Sequence, residues 1–132
     1  MKIYFLIASM FFFGNVFSQT DDVDSCAISA TLTASFKGVD KMGMISTEDI
    51  TKFKKMISSD STTTILRFTY SIDCDGCEIE IHEVYGNTLS EDDMKRLAAV
   101  KPMQVLSFEC IVGKNKKGEL VRYKPFLFYV KQ

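Results

Sequence analysis

The chain has 132 residues, of which 46% are hydrophobic and 11 are Phe, and its net charge is −1. This length leaves room for one domain, and the composition can build a folded core, which excludes a disordered chain as the starting expectation. So balanced a charge favours neither nucleic acid nor an anionic membrane surface as a partner.

The first 18 residues differ from the rest of the chain. Lys2 gives a short positive start, Ile3 to Phe13 is almost wholly apolar, and Val16-Phe17-Ser18 resembles a cleavage site. The apolar run is shorter than the roughly 20 residues that a helix needs to cross a bilayer. We therefore expect a signal peptide over residues 1–18 and a periplasmic or secreted protein with no membrane span after cleavage, the alternative being an uncleaved anchor.

Export changes how the four cysteines are interpreted. An even number of cysteines in an oxidising compartment indicates disulfide bonds, and four cysteines allow three pairings. We favour Cys74–Cys77 together with Cys26–Cys110, because Asp75-Gly76 is typical of a tight turn that brings the first pair together.

The mature chain begins with an acidic, polar stretch over residues 19–25, which predicts a flexible leader before a single β-rich domain over residues 26–132. Alternating apolar residues from Cys26 to Phe36 predict a first strand. Ser46 can cap a helix, and apolar residues at helical spacing predict that this helix continues to Ile57.

A β-hairpin is predicted at the centre of the fold. The alternating runs Leu66–Ile72 and Cys77–Ile81 are its two arms, and Asp75-Gly76 is its two-residue turn. This alternation predicts that Ile81 faces the core and that His82 faces solvent.

A second helix and a last hairpin complete the chain. Ser90 and Asp93 form a capping box at the start of the helix, and Val105–Val112 and Leu120–Val130 alternate as strands. Pro125 predicts a kink or an edge in the final strand. These elements predict an α+β fold, with a mostly antiparallel, sandwich-like β-sheet and two short helices.

The part of the chain from Leu89 onward resembles a known domain. The capped helix Leu89–Leu97 is followed by the strand Val105–Ile111, the turn and strand Gly118–Arg122, and the terminal Pro125–Phe128. This order is similar to the C-terminal domain of GldM, a protein of the gliding-motility and type IX secretion machinery, over about residues 44–130. The resemblance implies an exported interaction domain that has no enzymatic activity or cofactor and binds a protein partner in the cell envelope.

The Cys74-Asp75-Gly76-Cys77 motif has a second interpretation, because Cys-x-x-Cys also occurs in thiol–disulfide exchange proteins. Such sites use a helix N-terminus, whereas this motif lies at a predicted strand turn among acidic residues, which disfavour a thiolate. We interpret the pair as a structural clip, with thiol–disulfide redox chemistry as the alternative. A zinc site made of the four cysteines is a weaker alternative, and we expect no bound metal.

The last hairpin carries the candidate partner-binding residues. They are the basic side chains of Lys114, Lys116, Lys117 and Arg122, for which a solvated loop is the alternative interpretation. The apolar run Phe126–Val130 is expected inside the sheet, with homodimerisation through a free edge as the alternative. A secreted ligand-binding or inhibitor module that uses the loops at 38–43 and 114–118 is a further alternative. We expect no catalytic residues.

Overall fold

A computed structural model describes residues 30, 32–39 and 43–131. The elements, in chain order, are β1 (Ala34–Phe36), β2 (Gly43–Ile45), α1 (Thr47–Ile50), β3 (Met56–Ser58), β4 (Thr64–Asp73), β5 (Glu80–Tyr85), α2 (Glu91–Ala98), β6 (Val105–Lys114), β7 (Leu120–Arg122) and β8 (Phe126–Val130). The fold class is α+β, as predicted. The predicted signal peptide, the leader and Cys26 lie outside the described residues.

The main sheet has six strands in the order β2-β8-β6-β4-β5, with β7 pairing to the far end of β6. Its pairings are antiparallel except for that of β2, which runs parallel to β8. β1 and β3 form a separate antiparallel pair. β8 is therefore an interior strand, as its apolar sequence predicts, and Pro125 lies in the break between β7 and β8.

The core lies between one face of the main sheet, here called the inner face, and a layer formed by the β1–β3 pair and the two helices. Its centre is an aromatic cluster around Phe36. The Phe36 ring stacks on Phe53 with centroids 4.5 Å apart and meets Phe108 edge-on at 4.9 Å. Offset-stacked and edge-to-face contacts are the favoured geometries of aromatic pairs, so this cluster joins the two layers.

The first helix is shorter than the sequence predicts. Ser46 caps it as expected, since the backbone N–H of Asp49 donates to its Oγ at 3.2 Å. The predicted continuation to Ile57 is wrong, because Met56–Ser58 is strand β3 and pairs with β1. Isolated short helices are marginal in water, and pairing with β1 satisfies the same backbone groups while Met56 stays buried.

The second helix begins as predicted. Ser90 Oγ accepts a hydrogen bond from the Asp93 N–H at 3.1 Å, and the Asp93 carboxylate accepts one from the Ser90 N–H at 3.1 Å. This reciprocal capping box satisfies two backbone donors that the helix itself leaves unpaired.

The predicted hairpin exists, but it does not lie at the centre of the fold, because its second strand, β5, is an edge of the main sheet. Its predicted register is also wrong by one residue. The pairing Ile72↔Glu80 leaves six residues, 74–79, between β4 and β5, instead of the two-residue turn at Asp75-Gly76. Because side chains alternate along a strand, a shift of one residue moves each side chain of one arm to the other face. His82 therefore faces the core side, and Ile81 is 66% exposed, the reverse of the prediction.

The predicted Cys74–Cys77 disulfide is present, with Cα atoms 5.5 Å apart. The Cys77 N–H donates to the Cys74 carbonyl at 3.3 Å across a four-residue turn, in which Gly76 has a φ of 78°. Cys110 is also disulfide-bonded and lies at an irregularity in the β4–β6 pairing with a φ of 52°. Its predicted partner Cys26 lies outside the described residues, so the Cys26–Cys110 pairing stays a prediction.

Candidate functional site: an open sheet face and its edge

The second face of the main sheet, here called the outer face, lies opposite the core. Strand register places its residues in rows, because directly paired residues point to the same side of a sheet. One row runs Leu127, Ser107, Ser71, Ile81 across β8, β6, β4 and β5. The next residue along each strand belongs to the inner face, where the row is Phe126, Phe108, Tyr70, His82.

Large apolar side chains are exposed on the outer face. They are Met44 (54%), Leu127 (40%), Tyr129 (52%), Ile81 (66%) and Tyr85 (76%). The register places Tyr129 directly beside Met44, and the small side chains of Ser107 and Ser71 separate this group from Ile81. Single exposed apolar residues are ordinary, but a group of them on one face is typical of an interaction surface.

Strand β5 forms one edge of the sheet. It pairs with β4 through Glu80–Tyr85, and no strand in the described part of the chain pairs with its other side. This leaves a row of backbone donors and acceptors available to an added strand. The opposite edge, β2, is three residues long, so β5 is the longer of the two edges.

The β5 edge is acidic. Exposed carboxylates lie along the strand, in the loop before it and at the end of β4, at Asp73, Asp75, Glu78, Glu80 and Glu83. A positive charge also lies on the outer face, at Arg67, which is paired with Tyr85 in the β4–β5 register. The Tyr85 hydroxyl donates to Glu83 at 2.7 Å, which with the nearby negative charge raises the pKa of Tyr85.

A cleft of about 370 Å³ opens on the inner-face side of this edge. Its lining joins the disulfide turn, the start of β5, the end of α2 and the approach to β6, through Ile72, Cys74, Cys77, Glu78, Glu80, Arg96, Ala99, Val100 and Gln104. The lining contains charges of both signs, with the carboxylates supplied by the β5 side and the guanidinium by α2. The cleft is thus continuous with the acidic edge.

The guanidinium of the cleft belongs to a network centred on Asp93. The Tyr70 hydroxyl donates to Asp93 Oδ1 at 2.6 Å, and Arg96 donates to the same oxygen at 2.9 Å. Burial acts to raise the pKa of Asp93, but the hydrogen bonds from Tyr70 and Ser90 and the Arg96 charge outweigh it, so this pKa is lowered. Burial, with the Asp93 hydrogen bond, raises the pKa of Tyr70 to about 12. A proton is thus firmly held on Tyr70, and the network fixes α2 to the sheet.

His82 lies beside this network and not in solvent. Its ring packs on Tyr70 with centroids 5.2 Å apart, and its side chain is 28% exposed. Its Nε2 is buried without a hydrogen-bond partner among the described residues, because Glu80 Oε2 lies 3.7 Å away, beyond hydrogen-bond distance. The Glu80 carboxylate therefore does not orient the imidazole through a hydrogen bond.

The basic residues chosen from the sequence lie on the β6–β7 hairpin. Lys114 ends β6, Lys116 and Lys117 lie in the turn to β7, and Arg122 ends β7. Asn115 organises this turn, since its Oδ1 accepts from the N–H groups of Lys117 at 3.0 Å and of residue 119 at 2.9 Å. The three lysines are exposed, and β5 lies on the far side of β4 from this hairpin.

A second cavity, of about 260 Å³, lies between the two helices and is lined by Ile50, Thr51, Phe53, Met94, Lys95 and Ala98. The part of the chain that the structure describes contains no group of three or more His, Cys, Asp or Glu side chains suited to a metal ion. None of the described helices is long and apolar enough to cross a membrane.

No family model matches the chain, and no curated protein matches it.

Sequence reasoning did not find the exposed residues of β5, because the wrong register placed Ile81 in the core. Tyr85 offered no separate signal, since an aromatic residue at a strand end is as often buried as exposed. The exposed group Met44, Leu127 and Tyr129 comes from two distant segments that only the sheet order brings together.

Proposed function

We propose that this protein is a non-enzymatic protein-interaction domain of the cell envelope, which binds a protein partner through the outer face of its main sheet. The observation that carries the proposal is the group of large apolar side chains exposed on that face, at Met44, Leu127 and Tyr129. Burying apolar surface contributes about 25 cal/mol per Å² of area removed from water, so three such side chains can anchor a partner.

Two features of the sequence support an envelope location. The N-terminal segment resembles a signal peptide, and the Cys74–Cys77 disulfide is of a kind that persists in oxidising compartments. The resemblance of residues 44–130 to the C-terminal domain of GldM adds a partner class, namely a component of an envelope assembly. The same features support a periplasmic or secreted location.

Capture of partners from envelope extracts tests the proposal. The immobilised protein is compared with a Leu127→Glu variant and with Ile57→Glu as the matched control. Ile57 is an apolar residue of similar exposure, 37% against 40%, and it lies on β3 outside the main sheet. We expect Leu127→Glu to release the bound partner and Ile57→Glu to retain it. Equal retention by both variants, or no partner in any extract, would overturn the proposal.

Thiol–disulfide exchange is the second candidate, because Cys77 is exposed and the disulfide borders the 370 Å³ cleft. In such a reaction dithiothreitol reduces Cys74–Cys77 to two thiols and becomes a cyclic disulfide, and the two thiols then reduce a substrate disulfide and re-form their own bond. An insulin-reduction assay with dithiothreitol as the reductant separates the two functions. The interaction-domain proposal expects no acceleration over dithiothreitol alone, and catalysis that is lost in the Cys74→Ser variant would establish the redox function instead.

A further inference from the structure

The β5 edge carries three properties that are seldom combined on a sheet edge. Its outward backbone groups are unpaired among the described residues, its outer side exposes Ile81 and Tyr85, and its inner side opens into the cleft. Edge strands are ordinarily blunted by being short, bulged, covered or charged, and of these features β5 has charge, in Glu80 and Glu83. β5 has six residues and a regular register with β4 from Arg67↔Tyr85 to Ile72↔Glu80.

We propose that β5 binds an extended, basic segment of the protein partner, which adds a seventh strand to the main sheet. This inference rests on the proposed function and names the chemistry of the partner. In strand addition the backbone supplies affinity, and alternate side chains of the added strand supply specificity on the two faces.

The inner side selects positive charge. Glu80 is paired with Ile72 and so points to the inner side, where its carboxylate is 61% exposed and lines the cleft together with Glu78. A lysine or arginine of the added strand would lie beside these carboxylates. Arg96, on the opposite wall, already donates to Asp93 at 2.9 Å and so is held back toward α2.

The outer side selects apolar residues. The side chains that flank an added strand there are Ile81, Glu83 and Tyr85, and Glu83 already accepts a hydrogen bond from Tyr85. An apolar side chain between Ile81 and Tyr85 would extend the exposed outer face by one strand. The favoured segment therefore alternates basic and apolar residues.

Charge argues against a second copy of this chain as the occupant. Pairing β5 with β5 of another copy would bring two sets of Glu78, Glu80 and Glu83 together, and like charges on neighbouring strands destabilise the pairing. A basic segment would instead be attracted to these carboxylates, and salt would weaken its association.

A capped synthetic peptide of alternating Lys and Val, seven residues long, is the probe, and its binding to the full chain is measured by fluorescence anisotropy. A peptide of alternating Glu and Val is the charge control. Two further peptides keep the Lys–Val sequence. One has N-methyl groups on the alternate amides that line one edge of the extended peptide, and the other has them on the amides that line the opposite edge. We expect binding of the Lys–Val peptide, no binding of the Glu–Val peptide, and loss of binding for one of the two N-methylated versions.

Charge reversal on the protein locates the site. We expect the Glu78→Lys, Glu80→Lys double variant to weaken binding at least tenfold and Glu119→Lys to change it less than twofold. Glu119 is an exposed carboxylate in the β6–β7 turn and serves as the matched control. Slowed amide exchange in β5 on peptide addition provides a reading that does not depend on any variant.

Equal binding by both N-methylated peptides would show attraction by charge alone and overturn the proposal. A stable dimer that Ile81→Glu dissociates, as seen by sedimentation, would assign the edge to a second copy and also overturn it. If the peptides fail while Leu127→Glu still releases the captured partner, the edge proposal is lost and the interaction-domain function stands.

Discussion

Removing the Asp93 carboxylate tests how α2 is held to the sheet. In Asp93→Ala the Tyr70 hydroxyl loses its acceptor at 2.6 Å, and leaving such a buried group unsatisfied costs about 1–3 kcal/mol. Loss of the reciprocal bond to Ser90 removes about 1 kcal/mol of capping. We expect the free energy of unfolding to fall by about 3 kcal/mol in total, a large part of the roughly 5–15 kcal/mol that a domain possesses.

The assay is urea unfolding at pH 7, followed by far-ultraviolet circular dichroism with the disulfides intact. Asp92→Ala is the matched control, because Asp92 lies in the same helical turn but is exposed, and we expect it to change stability by about 0.5 kcal/mol or less. Equal losses in the two variants would refute the role of the Asp93 network.

Acid provides an independent check of the same network. Because the folded-state pKa of Asp93 is lowered, its contribution is fully present above the unfolded value of 3.8 and is lost as the pH falls through the folded value. The stability gap between the natural protein and Asp93→Ala should therefore be widest near neutral pH and should narrow progressively below about pH 4. A gap that is constant down to pH 2 would contradict a charged Asp93 in the folded protein.

Other outcomes follow from the core. Gly113→Ala should destabilise the protein by about 1–3 kcal/mol in urea unfolding, because the added Cβ would lie 2.8 Å from the Tyr123 ring, and an unchanged midpoint would contradict this packing. Phe36→Ala should cost about 3–5 kcal/mol by the same assay, since it empties the centre of the aromatic cluster, whereas a loss below about 1 kcal/mol would place that centre elsewhere. In a spectrophotometric titration the last tyrosine to ionise should do so near pH 12, because the pKa of Tyr70 is raised to about 12, and this step should be absent from Tyr70→Phe. An unchanged curve would show that Tyr70 is not the late-ionising group.

Features that depend on neighbouring residues in the chain could be predicted from the sequence. The start of α2 follows from Ser90 and Asp93, which satisfy each other within one helical turn. The interior position of β8 follows from Phe126–Val130, a run that is apolar on both faces and would be costly to expose. Both signals are complete within a few residues.

Features that depend on how strands pair could not be predicted from the sequence. The residues around Met56 have a helical spacing, but their pairing with β1 decides that they form a strand. In the hairpin, Asp75-Gly76 fits a two-residue turn, yet the observed connection has six residues and moves Ile81 to the outer face. The candidate binding surface depends on that register, so it was beyond the reach of the sequence pattern.

The most direct test of the account is photocrosslinking in the cells that produce the protein, with a benzoylphenylalanine introduced at one position at a time. Tyr129 reports on the outer face, Tyr85 on the β5 edge, Lys117 on the basic turn, and Ile57 is the control on β3. The account predicts a discrete adduct with the same partner protein from Tyr129 and from Tyr85, and none from Ile57. An adduct from Lys117 alone, or none from any position on the main sheet, would contradict it.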